Sequence, residues 1–177
     1  MFTSLRISLL TAILIGCSVL FSQPSFAISS LFKQFSESEQ WQEKQQLAKK
    51  LLKQDSTNQE QRLDIYLQLA DFALDKGNFS AAVKNYQLAE QSTSFAATPK
   101  RYFRSLKMQG VTYYYQGLMQ QAVLAYSEAL SVAKKLPEPI AEANLLSNIG
   151  LAYFDMFNMD QALKYYKEAK EIYEEHG

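Results

Sequence analysis

Leu146-Ser147-Asn148-Ile149-Gly150-Leu151-Ala152-Tyr153, followed by Ala162-Leu163-Lys164-Tyr165-Tyr166, is the stretch on which the fold turns. The same residue types stand 40 residues upstream as Leu106, Gly110, Tyr113, Ala122 and Tyr126, and another 40 upstream as Tyr66, Leu69, Ala70, Ala82 and Tyr86. Four columns run through all three copies: Ala70/Gly110/Gly150, Ala82/Ala122/Ala162, Tyr86/Tyr126/Tyr166 and Ala89/Ala129/Ala169. Gly77 and Gly117 pair with Phe157 as the exception, and Pro99 pairs with Pro139.

Each column has a physical task. A small residue at 70, 110 and 150 lets two helices approach to about 8–10 Å between axes. Ala, then Tyr four residues on, then Ala three further, keeps one face of a second helix apolar. Gly77 and Gly117 suit the left-handed position that ends a helix, and Asn158 is expected to serve there in the third copy. Pro99 and Pro139 fit a first helical turn, with Thr98 as the N-cap. The pattern predicts helices over 59–76, 80–93, 99–116, 119–135, 139–156 and 159–175. Residues 38–53 read as one more helix, with Trp41, Ala48, Leu51 and Leu52 on a stripe. It aligns with the helix at 80–93 shifted back 40 residues and is expected to cap the array. The polar run Gln40 to Gln46 reads as a solvated face.

An aromatic or Leu, then Leu-Gly, then Tyr, then Ala and an aromatic, is a pattern that resembles the tetratricopeptide repeat. The resemblance covers about residues 59–175, at a period of 40 where the family standard is 34. It implies an all-α fold: a right-handed superhelical stack of antiparallel helical hairpins, an α-solenoid. The expected organisation is a leader over 1–27, a linker with a capping helix over 28–57, and three repeats at about 59–98, 99–138 and 139–177.

The resemblance also implies a non-catalytic scaffold that grips a protein or peptide in a groove lined by the first helix of each hairpin. Carried over position by position, the groove takes Asp64, Leu67, Asp71 and Leu74 from the first repeat. It takes Arg104, Lys107, Val111 and Tyr114 from the second, and Asn144, Ser147, Asn148, Leu151 and Phe154 from the third. Arg104 and Lys107 share a helix face and could hold a ligand carboxylate, Arg by a two-point fork and Lys as a point charge. They read equally as solvated charges. Asn148 can donate to and accept from a peptide backbone at once. Asp71 stands where the family would place an Asn, which speaks against a full carboxylate clamp. Asp71 and Asp75 together read as solvated helix charge.

The final helix raises a second role. Its Ala162, Tyr166, Ala169 and Tyr173 face has no following helix in this sequence and suggests self-association or an assembly function. Were the source photosynthetic, small proteins of this kind would suggest photosystem assembly on the lumen side.

Composition narrows the chemistry. Eighteen basic residues balance eighteen acidic ones, so nothing draws the chain to nucleic acid. Cys17 and His176 are the only Cys and His. A thiol or histidine nucleophile and a metal site therefore have no credible ligands, and no phosphate-binding glycine motif occurs. No cofactor is expected.

Residues 1–27 read as an export signal: Arg6, an apolar run from Ile7 to Phe21, then Ser25-Phe26-Ala27 as a cleavage site. Leu14-Ile15-Gly16-Cys17 also resembles a lipoprotein box with Cys17 as the acylated residue, and an uncleaved anchor is the third reading. All three place the folded part outside the cytoplasm, in the periplasm or a thylakoid lumen, with the membrane met only through the leader.

Overall fold

The computed structural model describes residues 24–176, with side chains from 27 onward, in two compact units, Met1–Ser56 and Thr57–Gly177. Most of the leader, Cys17 included, lies outside the described residues. Among those described there are eight helices and no strand.

The first unit contributes α1 (Pro24–Glu37) and α2 (Trp41–Leu52). The segment expected as a linker from residue 28 is thus helical. Ile28, Leu31, Phe32 and Phe35 recur at helical spacing, and the rings of Phe32 and Phe35 meet edge to face with centroids 6.0 Å apart. On α2 the buried stripe is Lys44, Leu47, Ala48 and Leu51, while Trp41 and Leu52 are half-buried. The polar run is therefore not uniformly solvated. Lys44 is 4% exposed, and its ammonium donates to the carbonyls of Phe35 (2.8 Å), Ser36 (3.2 Å) and Ser38 (3.1 Å). A lysine thus caps the C-terminal end of α1, where carbonyls lack helical partners.

The second unit holds three hairpins: α3 (Gln59–Asp75) with α4 (Phe79–Gln91), α5 (Pro99–Tyr115) with α6 (Met119–Ala133), and α7 (Pro139–Asp155) with α8 (Met159–His176). Helix ends follow from local chemistry. Asn58 and Gln61 form a reciprocal capping box at the start of α3, at 2.8 and 3.0 Å. Pro99 and Pro139 open α5 and α7 as expected. Thr98 occupies the N-cap position of α5 but does not cap it, because its hydroxyl is paired with that of Thr93 at 2.6 Å.

All three hairpins turn in the same way. The residue after the C-cap adopts a left-handed conformation at Gly77 (φ 70°), Gly117 (φ 76°) and Phe157 (φ 59°). In each case its N–H and the next one reach back to the helix. Gly77 donates to Leu74 and Asn78 to Ala73, Gly117 to Tyr114 and Leu118 to Tyr113, Phe157 to Phe154 and Asn158 to Tyr153, all at 2.8–3.0 Å. This is the Schellman arrangement. The 40-residue register holds through Phe157, and Asn158 does not take over the left-handed place. Its Oδ1 instead accepts the N–H of Gln161 (3.3 Å) at the start of α8, as Asn78 does for Ala81 at the start of α4 (3.2 Å). A non-glycine residue there costs about 1–2 kcal/mol, and Phe157 recovers little by burial, being 86% exposed. Phe157→Gly should raise the unfolding free energy by about 0.5–1 kcal/mol after the extra entropy of glycine in the unfolded chain is subtracted. A denaturant midpoint that stays put or falls contradicts this account of the turn.

Packing runs between sequence neighbours: α3 with α4, α5 with α6, α7 with α8, and α4 with α5, α6 with α7 across hairpins. The repeat columns lie at these contacts. Ala70, Ala82, Ala89, Ala122 and Ala129 are fully buried, and Gly110 and Gly150 are buried with them. The face proposed for self-association needs correcting. Ala162 and Ala169 are buried, α8 packs on α7, and the Tyr173 hydroxyl donates to Asn144 of α7 at 2.7 Å. What α8 leaves open is the outer side of Tyr166. Its column is 0% exposed at Tyr86 and 3% at Tyr126, which have a following helix, but 36% at Tyr166.

Candidate functional site

The first helices of the three hairpins make two faces of different character. Between α3 and α5 the face is tied by ion pairs. Arg101 meets Asp64 at 2.6 Å and Arg104 meets Asp71 at 2.7 Å. Asp71 also accepts the hydroxyl of Tyr86 at 2.6 Å. Tyr86 is held neutral, its pKa raised first by burial and then by this hydrogen bond and the Asp71 charge. Two expectations change here. Asp71 is a shared acceptor, not solvated helix charge, and Arg104 is engaged within the chain through one arm of its fork, Nη2.

Between α5 and α7 the helices leave two openings. One, of about 170 Å³, is lined by Val111, Tyr114, Tyr115, Tyr126, Asn148 and Leu151. The other, of about 430 Å³, is lined among others by Phe103, Lys107, Ile140 and Asn144. Six of the thirteen residues expected to line the groove are therefore gathered on this face: Lys107 and Asn144 at the larger opening, Val111, Tyr114, Asn148 and Leu151 at the smaller. Positions 107 to 111 and 144 to 148 are one helical turn apart, so the openings succeed each other along the helices at about 6 Å. That spacing is close to the ~6.6 Å between alternate side chains of an extended chain.

Local chemistry differs between the two. The Lys107 ammonium lies over the Phe103 ring, 5.8 Å from its centroid. Asn144 already accepts from Tyr173. The side-chain amide of Asn148 makes no hydrogen bond among the described residues and is half-buried, so a ligand can use it. The Tyr114 hydroxyl donates to Asp155 Oδ2 at 2.5 Å, joining the C-terminal ends of α5 and α7. Its pKa is pushed up to about 12, first by this hydrogen bond and next by burial. Tyr115, Tyr126 and Asp155 were not singled out from sequence for the site. Both Tyr114 and Tyr115 line the smaller opening. Tyr126 was read from its column as packing alone. Nothing in the sequence marked Asp155.

Among the described residues no three of His, Cys, Asp and Glu come together as a metal-holding group. None of the described helices is long and apolar enough to cross a membrane.

Two models of the tetratricopeptide repeat family match the chain, over residues 143–176 and 63–92. The fold is also similar to solved structures. The crystal structure of MamA aligns with a TM-score of 0.63 at 22% identity, covering 89% of this chain and 85% of that one. The tetratricopeptide repeat domain of Arabidopsis FLU aligns at 0.59 and 18% identity, covering 66% of this chain and 98% of that domain. Aspartyl phosphate phosphatase F from Bacillus subtilis aligns at 0.62 and 16% identity, and there the match spans 40% of that protein and 85% of this one. At these identities the likeness is one of fold. Among curated proteins the sequence has no match.

Proposed function

The chain is a tetratricopeptide repeat protein, and on that premise we propose that it is an exported scaffold that holds an extended segment of a partner protein along the face between α5 and α7. Tetratricopeptide repeats serve in general as non-catalytic protein–protein interaction scaffolds. The position of the site on this chain rests on one observation. The α3/α5 face is bridged along its middle by the Arg101–Asp64 and Arg104–Asp71 pairs and opens only toward the start of α3, whereas the α5/α7 face keeps two open, successive pockets with an uncommitted Asn148. Asn148 would hydrogen-bond the ligand backbone, and the two pockets would receive alternate side chains. Lys107 would supply a cation to the larger pocket. The leader supports an envelope location, with periplasm or thylakoid lumen as the compartment.

Capture of binding proteins from an envelope fraction tests this. Asn148→Ala and Lys107→Ala should each reduce the retained partner by about tenfold, the loss of about one to two hydrogen-bond contributions. Arg104→Ala should disturb stability more than capture. Helix content should be unchanged in the first two variants. Full retention by Asn148→Ala, or a retained partner confined to the cytoplasm, would go against the reading.

A further inference from the structure

The smaller pocket has a chemistry that selects its guest. Three of its six lining residues are tyrosines. The rings of Tyr114 and Tyr115 stand 6.2 Å apart at 70°, Tyr115 being stacked on Phe79 as well, and the nearly buried Tyr126 touches the same opening. No basic side chain lines it. The carboxylate of Asp155 stands beside it through the Tyr114 bond, which uses only Oδ2. Oδ1 has no hydrogen-bond partner among the described residues. Val111 and Leu151 supply apolar surface on the two flanking helices. Resting on the reading that this face takes a partner segment, we propose that the Tyr114/Tyr115/Tyr126 pocket is a cation cage that receives a lysine side chain of the partner.

The alternatives fit less well. An acidic side chain would meet electron-rich tyrosine rings with a carboxylate close by. A purely apolar side chain would make no use of the Asp155 carboxylate beside the pocket. A lysine suits the set: its methylene stem would lie on Val111 and Leu151, and its ammonium would be drawn to the tyrosine rings and to the Asp155 carboxylate beyond Tyr114. The Tyr114 hydroxyl donates to an anion, which leaves its ring richer in electrons and a better cation receptor. Asn148, on the same pocket wall, is placed for the backbone of the residue that carries the lysine.

The test is a titration of the isotope-labelled full chain, followed by NMR, with three tripeptides: acetyl-Ala-Lys-Ala-amide and its norleucine and glutamate counterparts. The lysine peptide should shift the resonances of Tyr115, Asn148 and Leu151 saturably at millimolar concentration. The norleucine peptide should bind about fivefold more weakly and the glutamate peptide not measurably. Asp155→Asn and Tyr115→Leu should each weaken the lysine peptide about threefold or more, with Asp155→Asn leaving the norleucine peptide as it was. Tyr115 is 63% exposed, so its replacement spares the core. Equal affinity for lysine and norleucine at these same residues overturns the cage while leaving the groove in place. Preference for glutamate, or no saturable shift with the lysine peptide, overturns the cage as well. The groove itself stands or falls by the capture experiment.

Discussion

Gly110→Ala should destabilise the second unit by about 1–3 kcal/mol, although alanine is the better helix former. A Cβ at Gly110 would lie 2.4, 2.6 and 2.9 Å from Cδ1, Cε1 and Cγ of Tyr126. Those atoms run down the near edge of the ring as far as its root. The ring cannot swing clear without changing χ1 inside a core that leaves it 3% exposed. The roughly 1 kcal/mol that Ala gains over Gly in a helix interior is smaller than the strain of this overlap. The same column supplies two internal controls. Ala70 carries the methyl group and is fully buried, so the first hairpin is built around it. Gly150 would place a Cβ 2.9 Å from the Tyr166 ring, which is 36% exposed and has room to move, and 3.3 Å from the backbone oxygen of Ala162, a milder crowding. Gly150→Ala should therefore cost clearly less than Gly110→Ala. For a domain of this size the Gly110 variant should melt about 2–10 °C lower. The double variant Gly110→Ala/Tyr126→Leu should lose less than the sum of the two single changes, because the shorter side chain vacates the contested space. A Gly110→Ala protein as stable as its parent would mean that close approach of α5 and α6 is not what this column does.

The repeat was legible because packing repeats. Each small residue at 70, 110 and 150 and each alanine at 82, 122 and 162 meets the same neighbour in its own hairpin, so a 40-residue spacing records a three-dimensional contact in one dimension. Helix starts at Pro99 and Pro139 and stops near Gly77 and Gly117 were readable for a similar reason, since proline and glycine have backbone consequences of their own. The left-handed turn at Phe157 was not readable. Geometry there is imposed by the Schellman hydrogen bonds to Tyr153 and Phe154, against the residue's own preference. The site divides in the same manner. Val111, Tyr114, Asn148 and Leu151 could be located because repeat register fixes which way a helix position faces. That Arg104 is taken up by Asp71 could not be located, because the two are 33 residues apart in sequence and their pairing depends on how one hairpin sits on the next. Tyr126 joined the pocket, and Asp155 its Tyr114 wall, by the same kind of contact, made across helices whose relative placement no local pattern records.

Replacement of Lys44 by methionine should cost the α1–α2 hairpin about 1–3 kcal/mol, despite removing a buried charge. Two effects oppose each other. Burial disfavours the ammonium and lowers its pKa from the ordinary 10.5. Against this, Nζ donates to three carbonyls at the end of α1 and lies 4.9 Å from the centroid of the Phe35 ring. Methionine keeps most of the stem's packing and loses all three donors. Water can reach Ser36, which is exposed, and part of Ser38, but Phe35 is fully buried, so its carbonyl bears most of the loss. The pH dependence separates this account from simple loss of packing. The folded chain has the lower Lys44 pKa, so between that value and 10.5 the unfolded chain binds more protons. Stability then rises with pH across that window, as the desolvation penalty is relieved on losing the proton. The methionine variant should lack this contribution, and the difference between the two proteins should change as pH approaches 10.5. Hydrogen exchange at the amides of α1 and α2, followed at neutral pH and again near pH 10, reads both quantities. Amides of α1 that exchange equally slowly in parent and variant at both pH values would show that the lysine does not hold the hairpin's end.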